Sequence, residues 1–187
     1  MMTLESMKQF RQKYRANIAS SYSGWVHMAS VLAVGLSIIF YTLLQLQTVS
    51  WSEWLVFPLV MLLVNFAEYY AHRWLGHRKT PYGKLFYQRH TGDHHSFFLE
   101  QSMAFESVKD WRVVLFPLYL IFAFLLGLIL PFGYLVSELI SMNAAYLFAA
   151  AGISGYLLYE TLHFSYHIPR GHCSEKVFLA IPGRRAL

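Results

Sequence analysis

Neutral imidazole carries an exposed lone pair at physiological pH, which makes histidine the commonest protein ligand for transition metals. Five of the nine histidines in this 187-residue chain lie in one stretch, EYYAHRWLGHRKTPYGKLFYQRHTGDHH at 68–95: His72, His77, His90, His94 and His95. Two more, His163 and His167, stand four apart in YETLHFSYHIP, where Pro169 ends the helical pattern. Seven imidazoles exceed what one ion needs, so the chemistry to expect is that of a two-metal site.

The spacings constrain the elements that carry these ligands. His72 and His77 are five apart, roughly 140° on an α-helix, so both face one centre only if the helix stops between them. Gly76 is the expected stop. His90 and His94 share a helix face, with His95 turned about 100° further. Glu68 precedes His72 by four residues and Glu160 precedes His163 by three, so each carboxylate can lie beside its histidine. A carboxylate that accepts the second ring N–H fixes the tautomer and direction of a ligating imidazole. Asp93 stands in the same relation to the middle cluster. A lone histidine is ordinarily a hydrogen-bonded or interfacial residue, and the glutamates can equally neutralise nearby arginines; three clusters on one predicted face argue for a metal. His27 is isolated and reads as interfacial, and His172, beyond Pro169 and Gly171, is the weakest ligand candidate.

The positioning elements are apolar. The chain is 56% hydrophobic and only 13% charged, too apolar for an ordinary soluble domain of its size. Four runs, at about 26–46, 54–75, 113–131 and 139–159, are each long enough to cross a bilayer as a helix. Residues 1–22 place Leu4, Met7, Phe10, Tyr14 and Ile18 at helical steps among Lys8, Arg11, Lys13 and Arg15. That predicts a basic amphipathic helix on the membrane surface. A secretory signal fits less well, because the first apolar run starts late and is as long as a full span. Tyr, Trp and Phe at the span ends read as an aromatic belt.

Charge gives the orientation. Four of the 15 Lys and Arg residues precede the first span, seven lie between Arg73 and Arg112, and four follow the last span. The connections 47–53 and 132–138 hold none. The positive-inside rule therefore predicts an all-α, multi-pass protein with both termini and the histidine-rich metal site cytoplasmic. The net charge of +5 reads as membrane topology, with no nucleic-acid partner, since the cations form no basic face. Cys173 is the only cysteine, so no intrachain disulfide forms. The H-E-x-x-H of zincins is absent, and the ligands are too dense and too near the span ends for haem held between spans. No repeat or low-complexity linker divides residues 23–187, which read as one membrane domain.

HRWLGH at 72–77, RHTGDHH ending at His95 and YETLHFSYH resemble, in order and spacing, the histidine boxes of the membrane-bound fatty acid hydroxylase and sterol desaturase superfamily. The resemblance runs from about residue 50 onward. It implies a non-haem diiron oxidoreductase that uses O2 and two electrons to hydroxylate, or less often desaturate, a lipid carbon. The seven histidines would hold two iron ions. The lipid substrate would enter from the bilayer, and a separate electron-donor protein would supply electrons, since no flavin or nicotinamide fingerprint is present. A carotenoid hydroxylase shares this chemistry. The family's further H-x-x-H-H box is not found before the closing PGRRAL, which implies a C-terminally truncated sequence with an incomplete ligand set. A catalytically incomplete metal-binding membrane protein is the alternative.

Overall fold

The structure, a computed structural model, describes residues 3–169; His172, Cys173 and the PGRRAL segment lie outside them. Among the described residues the chain is helical, with no strand beyond an isolated bridge between Leu99 and Ser102. Helix α1 spans Leu4–Ala16 and starts on a reciprocal cap, in which Thr3 Oγ1 accepts the Ser6 N–H at 3.2 Å and Ser6 Oγ accepts the Thr3 N–H at 2.9 Å. Glu5 in its first turn and Lys13 and Arg15 in its last suit the helix dipole.

Among the described residues, three helices are long and apolar enough to cross a membrane: α2 at Gly24–Leu44, then Trp51–Gly76 and Val108–Leu139. The second opens on a cap, where Ser50 Oγ accepts the Glu53 N–H at 3.3 Å. The third is broken near its start. Leu115 is extended, at φ −72° and ψ 141°, two residues before Pro117. The helix resumes at Leu118–Phe124.

The fourth predicted span is present as a 25-residue helix, Met142–Tyr166, which is long enough to cross a membrane but less apolar than the other three. It begins later than expected because the preceding helix ends at Leu139, with Ile140 turned to φ −126° and ψ −76°. Its make-up explains the lower hydropathy. Ala144, Leu147, Ala150, Ala151 and Ile153 are fully buried, so much of this helix packs against protein, with small residues that let neighbours approach. A Cβ at Gly155 would lie 2.6 Å from the Val64 side chain.

Contacts divide the chain into two units. One comprises residues 26–71 and 117–159. It carries most of the outward apolar surface, including Phe40, Leu62, Phe66, Leu126 and Leu139, and its connections are pinned by Asn143, which donates to Gln47 O at 2.6 Å and accepts the Gln47 N–H at 3.0 Å. The other unit holds α1, residues 72–116 and residues 160–169. All 11 Lys and Arg of residues 3–169 fall in this second unit, as do all their histidines except His27.

In the histidine-bearing unit, Phe97, Phe98, Val113 and Val114 form a buried cluster onto which Phe10 and Tyr14 of α1 pack. The apolar face of the amphipathic helix predicted at 1–22 thus has a partner inside the protein. Two of its cations also turn inward. Arg11 is 2% exposed and reaches Glu106 at 2.5 Å, while Arg15 meets Asp110 at 2.8 Å and Glu106 at 2.8 Å.

Candidate metal centre

The ligand-bearing stretch departs from α-helical geometry at the two places where the histidines sit. Ala71–Gly76 and Gln88–His94 are π-helical. A π turn is closed by i→i+5 bonds, so it brings residues five apart alongside each other, and such turns are frequent at functional sites. His72 Nε2 and His77 Nε2 accordingly lie 3.3 Å apart, and His90 Nε2 and His95 Nε2 lie 3.0 Å apart. His77 Nε2 is also 3.3 Å from His90 Nε2.

This geometry corrects one expectation and refines another. His72 and His77 meet through a widened turn, not because an α-helix stops at Gly76. His90 and His94 fall in different candidate groups, His90 lying against His95 across the π turn and His94 with His163 and His167. The seven predicted histidines fall into two sets: His72, His77 and His90, with His95 against His90, and His94 with His163 and His167. Within each group of three, the candidate ligand atoms lie within 4.8 Å of one another.

Gly76 has a different role from a helix stop. A Cβ there would come within 2.8 Å of the His90 ring, so only glycine lets the two π segments close on each other. Thr91 Oγ1 donates to Gly76 O at 2.6 Å and ties them together.

The second group is the more buried. His94 is 7% exposed and His167 1%. Their ring centroids lie 4.9 Å apart, and His163 is 4.9 Å from His94 and 5.3 Å from His167. His167 Nδ1 is 2.7 Å from Met103 O and His94 Nδ1 is 3.3 Å from Val113 O. A carbonyl can only accept, so both Nδ1 atoms carry the proton and both Nε2 lone pairs are left for an ion.

The donor set fits metal ions. Two nitrogens each about 2.1 Å from one ion are about 3.4 Å apart at a tetrahedral angle and about 3.0 Å at an octahedral one. The first group's separations fall in that range, and they equally suit N–H···N bonds in metal-free protein. Burial, with neighbouring imidazoles adding to it, pushes His90 down to about 3 and His94 down to about 2. Burial likewise lowers His167 to about 4 and lowers His95. The rings are therefore neutral at physiological pH, as ligation requires.

Two of the predicted carboxylate partners make other bonds. Asp93 is turned to Arg89, at 3.8 Å, and to Gln88, at 3.4 Å. Glu160, 1% exposed, accepts the Phe116 N–H at 2.9 Å through Oε1, and its buried Oε2 has no hydrogen-bond partner among the described residues. Glu68 is half-buried. Backbone carbonyls orient His94 and His167 instead, and no residue-type signal in a sequence marks a carbonyl. The Arg11 and Arg15 pairing with Glu106 and Asp110 left a readable trace. Both pairs are spaced by four, with opposite charge.

Among the described residues, the fold and site define a helical protein with three helices apolar enough for a membrane and two groups of histidines able to hold metal. No known protein family, curated protein or solved structure matches the chain.

Proposed function

We propose that the protein is a membrane-embedded oxidoreductase that oxidises a lipid C–H bond with O2 at a pair of histidine-held iron ions. The observation that supports this most directly is the presence of two adjacent imidazole groups whose sets are joined through His90 and His94, neighbours in one π segment with ring centroids 5.7 Å apart. Iron bound there supplies O2 activation and an oxidant for an unactivated C–H bond. His72, His77, His90 and His95 would hold one ion and His94, His163 and His167 the other, with the Met103 and Val113 carbonyls keeping two of the Nε2 atoms aimed. Iron, and hydroxylation in preference to desaturation, rest on the resemblance of HRWLGH, RHTGDHH and YETLHFSYH to the fatty acid hydroxylase and sterol desaturase superfamily. The same resemblance motivates a separate electron-donor protein and a substrate that arrives through the bilayer; a carotenoid is a substrate of the same class.

The charge distribution supports a cytoplasmic site, because the cations gather in the histidine-bearing unit. An all-imidazole donor set suits zinc as well as iron, which favours as second reading a metal-binding membrane protein without turnover. Metal analysis of purified protein, paired with lipid analysis of expressing cells, separates the two. Two irons per chain and a hydroxylated lipid absent from a His94→Ala strain are expected. Bound zinc with unchanged lipids sinks the oxidase reading, and no bound metal sinks both.

A further inference from the structure

His167 is the most deeply buried ligand candidate, and the loop that aims it comes from outside the histidine motifs. Its Nδ1 donates to Met103 O at 2.7 Å, and its own carbonyl accepts the Phe105 N–H at 3.0 Å. The loop carrying Met103 and Phe105 is gripped at three points by one residue. Arg11 Nε donates to Phe97 O at 2.8 Å, Nη2 to Ser102 O at 2.8 Å and to Ser102 Oγ at 3.2 Å, and Nη1 to Glu106 Oε1 at 2.5 Å. The same guanidinium lies 5.5 Å from the centroid of the Phe98 ring, whose centroid is 4.1 Å from that of His167.

A buried arginine is costly unless its donors are satisfied. Here the donors are spent on the segment that flanks Met103. A lysine would present one point charge and could not reproduce the fork.

We propose that Arg11, on the N-terminal helix, is a positioning residue for the second histidine group: by bracing residues 97–106 it holds the Met103 carbonyl on His167 Nδ1 and thereby keeps His167 Nε2 aimed at its ion. This rests on the metal-site reading above for its consequence, but not for its geometry. Altering a group that orients a ligating histidine typically weakens metal binding by roughly 10- to 100-fold.

Two measurements on the full chain in detergent test it, with Arg11→Met and Arg11→Lys compared with wild type. In metal-free protein, imidazole 15N shifts should report His167 as the Nδ1–H tautomer in wild type and as a mixture in both variants. In Co(II) titrations, one equivalent should bind roughly 10- to 100-fold more weakly in both variants while the other is unchanged. A general loss of structure would weaken both equivalents alike, and that outcome overturns the brace. So does a wild-type tautomer in a folded Arg11→Met, or full rescue by lysine. If wild type binds no metal, the metal reading fails and the tautomer measurement still decides the brace. Should Arg11→Met not fold, Glu106→Ala, which removes the exposed anchor of Arg11, carries both measurements, with the same direction of change expected and wild-type values overturning the proposal.

Discussion

His90, His94 and His167 have lost their usual affinity for protons, and that loss has a thermodynamic consequence. In the unfolded chain each would titrate near 6.5, whereas burial holds His90 to about 3, His94 to about 2 and His167 to about 4 in the folded state. The unfolded state therefore binds more protons throughout the interval between those values. Folding stability is fully present above about pH 6.5 and falls as the pH drops from there towards 4 and below. Metal-free protein should accordingly melt at progressively lower temperature between pH 7 and pH 4. Replacing His94 with Gln removes one titrating ring and should flatten that decline. Equal pH slopes for the two proteins, measured by thermal scans in detergent, would contradict the assignment of a buried neutral ring at 94.

At the same scale, the two groups make separable predictions for substitution. His90→Ala and His94→Ala lie four residues apart, yet each should cost one metal equivalent from a different group. A His90→Ala, His163→Ala double variant should then lose both equivalents, whereas His94→Ala combined with His163→Ala should lose one. A single shared site would make these two double variants indistinguishable in metal content.

Among the elements, the π-helical turns bring the first histidine group together, and they mark where sequence reasoning stopped. The helical class, the histidine inventory and three of the apolar spans could be read from composition and run length, because those are sums over many residues. The grouping of the ligands could not, because an α-helical ruler assigns His90 to His94, and a single extra residue in the turn transfers it to His95. Gly76 was legible as an important glycine for the wrong reason: the neighbour that forbids a side chain is His90, remote in sequence. Gly76→Ala should thus move His90 without unfolding its unit. Its Cβ would enter the 2.8 Å gap to the ring, so metal binding at the first group should fall by an order of magnitude or so, about the cost of disturbing a ligand's support. The second group should be unaffected. Co(II) titration reads this directly, and equal binding at both groups would show that the ring has room to retreat. The inward cations of α1 were missed because a basic amphipathic stretch reads as a membrane surface unless its acidic partners, 91 and 95 residues away, are known to fold back.

For the whole molecule, the division of labour between the units is chemical. The unit formed by 26–71 and 117–159 contains no lysine or arginine and exposes large apolar side chains, while the cations and seven of the histidines of residues 3–169 belong to the other. An apolar exterior of that extent is unstable in water and stable in lipid, and cations beside span ends resist translocation. Together these predict a fixed orientation. The loop at Lys79 and the last turn of the third apolar helix, at Ser137, should face opposite sides of the membrane, with Lys79 cytoplasmic. In a Cys173→Ser background, single cysteines placed as Lys79→Cys and Ser137→Cys should react with a membrane-impermeant maleimide from opposite faces of sealed vesicles. Labelling of both from one face would remove the charge argument for orientation and, with it, the reason to place the histidine groups at the cytoplasmic surface. The metal-binding geometry would survive that result unchanged, because the Nε2 separations among His72, His77, His90 and His95 and the carbonyl contacts of His94 and His167 are internal to one unit.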